Sequence, residues 1–117
     1  MSYDIRFGVK VAGAKDDVYA VIGHPEYDSP TYNNRDIFVR CLDWDYHQGD
    51  WYKLADVMPK IERGIRELKF NKDAYKELEP KNGWGTISSA VECLESMRDC
   101  IYRTAEEIPI EHLWVRW

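Results

Sequence analysis

The segment Asp43-x-Asp45-x-His47-x-x-Asp50 sets four potential metal ligands close together in the chain. Oxygen-rich loops hold hard cations, and a histidine among the carboxylates would also admit a transition metal. The spacing does not fit a calcium-binding helix-loop-helix. Gln48 stands where the glycine is required, and Leu54 replaces the bidentate acid. The segment therefore reads as a polar loop ahead of a helix, with Asp50 or Asp56 as the cap. No metal is expected there.

Other constellations lead no further. His24, His47 and His112 show no HxxxH pattern, no CxxC accompanies them, and His112 reads as a half-buried strand residue. A nucleophile needs a base beside it, but Cys41 falls in an alternating segment, and Cys93 and Cys100 fall in a helical one. Those last two lie about 10 Å apart along a helix axis, too far for a disulfide. All three read as core thiols of a reduced compartment. Ser88 and Ser89 are first-turn helix residues, and Gly83-x-Gly85 lacks the lysine or third glycine of a phosphate loop. No catalytic residue and no cofactor is assigned.

Two surface patterns remain. Lys60, Arg63, Arg66, Lys69 and Lys72 recur on the outer side of one helix, interrupted by Glu62 and Glu67, which is the pattern of a solvated face. The net charge of −5 opposes direct nucleic-acid contact along it. The second pattern is aromatic. The chain has five Trp and eight Tyr, and Tyr27, Tyr32, Trp44, Tyr46, Trp51 and Tyr52 gather in two loops with Asp43 and Asp45 among them. Ring anchors with an acidic rim suit a protein-binding surface. The same rings could instead fold over the sheet edge as a small core, and the sequence leaves both readings open.

The elements that must position these residues follow from periodicity. Residues 3–11 alternate, with Tyr3, Ile5, Phe7, Val9 and Val11 on one side and Asp4, Arg6, Gly8 and Lys10 on the other. A turn at 13–17 returns the chain through a second strand at 18–23, making a hairpin. A third strand is predicted at 36–42 after the long loop that starts at His24. Leu54, Met58, Ile61, Ile65 and Leu68 line a helix face, and Pro59 is accommodated by starting that helix near Asp56. A short helical turn at 73–78 follows.

Asn82-Gly83-Trp84-Gly85-Thr86 forms a turn that ends in a helix cap, with Trp84 expected to fold over the first turn as a staple. The helix itself spans 87–104, and 108–117 closes the sheet. The expected fold is one α+β domain over 1–117: an antiparallel sheet of about four strands, packed on one face by two helices, in the order βββααβ.

The start Met1-Ser2-Tyr3-Asp4-Ile5, Tyr32-Asn33, the Pro59-centred helix and the Asn82–Thr86 turn resemble a family of small uncharacterised bacteriophage and mobile-element proteins. That family carries no activity to transfer. The resemblance implies a phage-type accessory protein in the cytoplasm of a bacterial host cell. It implies a non-enzymatic protein that binds and inhibits or modulates a host protein with a basic surface, including anti-CRISPR-like inhibition of a nucleic-acid-binding nuclease. The expected contact residues are Tyr27, Tyr32, Asp43, Trp44, Asp45, Tyr46 and Trp51. On this reading, replacing Trp44 and Tyr46 with Ala abolishes binding without moving the thermal midpoint. The alternative is a small-ligand or nucleotide-binding module with its pocket beside the loop after His24. No apolar run is long enough to cross a membrane.

Overall fold

The computed structural model describes residues 3–117; Met1 and Ser2 of the motif that opens the chain lie outside them. The expected α+β class is the observed architecture, an antiparallel four-stranded sheet with helices packed against it. The strands are β1 (Arg6–Lys10), β2 (Tyr19–Gly23), β3 (Trp51–Lys53) and β4 (Leu113–Arg116), and they lie side by side as β2-β1-β4-β3. The helices are α1 (Arg35–Leu42), α2 (Leu54–Phe70) and α3 (Ile87–Ala105). The expected hairpin is present, since β1 pairs antiparallel with β2. Phe7 lies opposite Val115 in β4, and Tyr52 of β3 lies opposite the same valine from the other side.

The predicted strand at 36–42 is instead α1. A short apolar run interrupted only by Arg40 fits a strand and a short helix equally well. The buried set decides between them: Ile37, Phe38, Cys41 and Leu42 recur at helical spacing and face one core. Asp43 closes the helix in the left-handed conformation at φ 51°, an arrangement that Asp tolerates better than most residues. The third strand comes later, at Trp51–Lys53, directly ahead of the second helix.

The second helix also departs from expectation, because it begins at Leu54 and carries Pro59 more than a turn inside. The proline deprives the Ala55 carbonyl of its helical donor. Ala55 and Pro59 both face solvent, where water replaces that donor cheaply. The last helix is capped as its sequence suggests, by a reciprocal Thr86–Ser89 capping box.

Tyr3, Ile5, Phe7, Leu113, Val115 and Trp117 face the helices and are buried, as alternation predicts. Cys41, Cys93 and Cys100 are unpaired and buried, as expected of core thiols. His112, read as a strand residue, lies exposed in a single helical turn just before β4. No described helix is long and apolar enough to cross a membrane.

Under Arg35, the hydroxyls of Tyr3 and Tyr46 share a 2.8 Å hydrogen bond. Burial raises both phenols above their ordinary value of 10.0. Burial likewise pushes the Cys41 thiol from 9.0 up to about 12. In the unfolded chain these groups lose protons at their ordinary values, while the folded chain keeps them. The native state then binds more protons, so stability falls as pH rises. Denaturant midpoints are expected to stay level at neutral pH and to decline once the pH passes 9.0. Cys41→Ala should make the first part of the fall shallower without removing it, because burial raises the Cys93 thiol from 9.0 as well. Tyr46→Phe should flatten the steeper part. A midpoint independent of alkaline pH would contradict this account.

Candidate functional site

Alternation sends Arg6, Gly8 and Lys10 of β1 to the side of the sheet away from the helices, together with Tyr19 and Val21 of β2, Trp51 and Lys53 of β3, and Trp114 and Arg116 of β4. Tyr19, Trp51 and Trp114 stand outside the hydrophobic core cluster and are half-buried against one another. Tyr19 stacks on Trp51 with centroids 4.8 Å apart and planes 12° apart, and meets Trp114 edge-on at 5.0 Å.

Gly8 permits the cluster. The Trp51 ring crosses from β3 to lie on its Cα, and a Cβ there would sit 2.9 Å from both Cη2 and Cζ3. A glycine inside a strand often marks such a close approach.

Two cations flank the rings. Lys10 lies 5.6 Å from the Trp114 centroid, and Arg116 lies 5.6 Å from that of Trp51. Each cation is also paired with an acid at the rim, Lys10 with Asp17 at 2.9 Å and Arg116 with Asp4 at 3.1 Å. The hydrogen bond that Lys10 donates to the Asp17 carboxylate raises the lysine's pKa. Stacked rings, paired charges and the exposed Val21 (53%) therefore form one surface across all four strands.

A second feature is an open cleft of about 690 Å³ between residues 27–33 and the turn 83–89. Tyr27, Ser29, Thr31 and Asn33 form one wall; Trp84, Thr86 and Ser89 belong to the other. Trp84 is 72% exposed, so the expected staple over the helix does not form. Gly85, at φ 111°, sets that geometry: a Cβ on it would collide with Asn34 Oδ1. The loop after His24 does border a pocket, but its opposite wall is this turn rather than the sheet.

The sequence-predicted contact residues separate into different environments. Trp51 belongs to the outer sheet face. Tyr27 borders the cleft, and its amide donates to Ser96 Oγ at 2.9 Å. Tyr32 stacks on Tyr3 at 5.2 Å. Asp43 caps α1, and Asp45 is exposed and held by Arg35 at 2.9 Å. Tyr46 is only 1% exposed and stacks on Trp117 at 5.0 Å, so it is a core residue and offers no surface to a partner. Trp44 packs half-buried against Tyr46, Tyr52 and Trp117. The Asp43–Asp50 carboxylates do not converge, and no three candidate ligands meet among the described residues.

Tyr19, Trp114, Lys10 and Arg116 were not singled out from the sequence. Their signal was present, since Trp114 and Arg116 hold the outward positions of the predicted closing strand. On the basic stripe, Arg63 is turned inward to donate to the Arg40 and Cys41 carbonyls, and Lys69 pairs with Glu95 at 3.0 Å.

These placements reverse one expectation. Replacing Trp44 and Tyr46 with Ala should lower stability by at least about 3 kcal/mol, the usual scale for truncating a buried aromatic. Thermal unfolding measures it, and an unmoved midpoint would return both rings to the surface. Separately, Gly8→Val should drive Trp51 off the sheet and remove the near-ultraviolet circular dichroism of the Tyr19–Trp51 stack. An unchanged spectrum would contradict the close approach at Gly8. In comparisons with known proteins, no family model, curated protein or solved structure matches the chain.

Proposed function

We propose that this chain is a non-enzymatic binding protein that docks the outer face of its sheet against a partner protein and thereby inhibits or modulates it. The observation that carries the reading is the Tyr19–Trp51–Trp114 cluster on a face with no helix over it. Rings already stacked in the free protein lose little freedom on binding, and Tyr and Trp with few torsions supply large contact area. Val21 extends the apolar surface to the edge strand β2, which contains neither charge nor proline.

Charge selects the class of partner. Lys10 pairs with Asp17, Arg6 with Asp28, and Arg6 and Arg116 share Asp4. That leaves Lys53 as the cation of this face without an acid partner among the described residues, too little free positive charge for a phosphate backbone. The net charge of −5 attracts a protein with a basic surface. A host nuclease that binds nucleic acid has such a surface, and it is the partner class implied by the likeness to phage accessory proteins. Of the residues first expected to make contact, Trp51 sits on this face. Tyr27, Tyr32, Asp43, Trp44 and Asp45 lie elsewhere.

The test is a tagged pull-down from bacterial lysate, comparing the wild type with a Tyr19→Ala/Trp114→Ala double variant. A protein partner should be enriched by the wild type and depleted at least about tenfold by the variant, equivalent to ~1.4 kcal/mol. Because both rings lie outside the core cluster, the variant should keep a cooperative melting transition. Capture of nucleic acid without a protein, or equal retention by a folded variant, would overturn the proposal.

A further inference from the structure

The cleft beside Trp84 has a chemistry distinct from that of the sheet face. None of the side chains that border it is charged. The neighbouring start of α3 is not open to an anion either. Ser89 N–H donates to Thr86 Oγ1 at 3.0 Å, and Ile87 N–H reaches Glu79 Oε1 at 3.4 Å. The Glu79 carboxylate thus already occupies the positive end of the helix dipole. A phosphate or carboxylate ligand would meet a helix terminus that is capped and counter-charged. This argues against a nucleotide in this cleft.

A purely apolar ligand fits no better, because it would cover Ser29, Thr31 and Asn33 without answering their hydrogen-bonding groups. The remaining class is a neutral molecule with an apolar face and a hydroxyl-bearing edge. Hydroxyl and amide side chains each offer both donors and acceptors, as a sugar hydroxyl does. The Trp84 indole is presented to solvent by a built turn: its amide donates to Asn82 Oδ1 at 2.9 Å, and Gly83 and Gly85 hold φ of 76° and 111° around it. A flat, uncharged ring held this way suits the C–H face of a pyranose. Below it, Asn34 locks the two walls together by donating from Nδ2 to Ser89 Oγ at 3.0 Å.

We propose that the cleft between residues 27–33 and 83–89 is a binding site for a neutral saccharide, with Trp84 as the stacking platform and Asn33, Thr31 and Ser29 as hydrogen-bonding partners. The site goes beyond the protein-docking face and stands independently of it.

The experiment titrates the protein with maltohexaose, cellohexaose and chitohexaose, and in parallel with ATP and inorganic phosphate, following backbone amide shifts by NMR and the melting midpoint. At least one oligosaccharide should produce saturable shifts at Thr31, Asn33 and Gly85 and raise the midpoint by mass action. ATP and phosphate should produce neither effect. Trp84→Ala should weaken the sugar response at least about tenfold. Asn33→Ala, at an exposed position, should weaken it about fivefold, the scale of one hydrogen bond. Both variants should still melt cooperatively and should still capture whatever protein the sheet face binds, which separates failure of this site from failure of the other. Silence with all three sugars would overturn the proposal. So would binding of ATP or phosphate at the cleft, or a sugar response that survives both substitutions.

Discussion

The fold depends on the burial of Trp117. Its ring stacks on Tyr46 at 5.0 Å and is met edge-on by Phe38 at 5.2 Å, Trp44 at 6.1 Å and Tyr3 at 6.4 Å. Those rings come from the segment before β1, from α1 and from the loop after it, so the sheet and α1 are fixed relative to each other through one residue. The Trp117 carbonyl also accepts from Gly49 N–H at 2.8 Å, which ties down the loop that leads into β3. Burial leaves the indole N–H of Trp117 without a partner among the described residues. An unsatisfied buried donor costs about 1–3 kcal/mol, and the area hidden by a ring of this size is worth at least as much. The aromatic nest is therefore stable despite the lost hydrogen bond.

This nest explains why the aromatics of the 43–50 loop are not a surface. Once Trp117 is inside, the chain after α1 must cover it, and Trp44 and Tyr46 are the residues within reach. Their acidic neighbours face outward by the same geometry, with Asp45 held to Arg35 and Asp43 used as a helix terminator. The aromatic surface forms instead where the strands alternate away from the nest. There Gly8 leaves a bare patch of backbone on which Trp51 can lie.

Much of this was legible in the sequence. Alternation in residues 3–11 and 108–117 points to strands with one buried face. Strands form over the central Arg6–Lys10 and the later Leu113–Arg116, while Val11 is exposed and Ile110–His112 is a helical turn. The Thr86 cap and the apolar positions of the last helix were equally readable, because capping and helical spacing act within a few residues. What escaped was non-local. The Ile37–Leu42 run satisfies a helix or a buried strand, and only the direction of the Trp117 nest selects the helix. Pro59 argued for a later helix start, yet the solvent-facing position of Ala55 makes the lost hydrogen bond cheap. Trp84 looked like a staple because a large ring before a helix often is one. The approach of Asn34 to Gly85 turns the local backbone so that the ring points outward instead.

The two exposed surfaces are joined at one residue. Asp28 accepts from Arg6 at 2.9 Å and lies 3.2 Å from His24 Nδ1, while Ser29 on the cleft wall donates to its other oxygen at 3.2 Å. Arg6 in turn lies on the outer sheet face, beside Arg116 in the register. Backbone bonds from Tyr3 to Pro30 and from Ile5 to Asp28 reinforce the same junction. Contact alone does not couple two sites; coupling requires an element with two arrangements of similar free energy. This junction is pinned by ion pairs on one side and by backbone hydrogen bonds on the other, and the residues it holds continue directly into the buried strand β1. A rigid junction of that kind lets the sheet face and the cleft each keep its shape whether or not the other is occupied. The proposed docking face and the proposed saccharide site therefore share a scaffold with no switch between them.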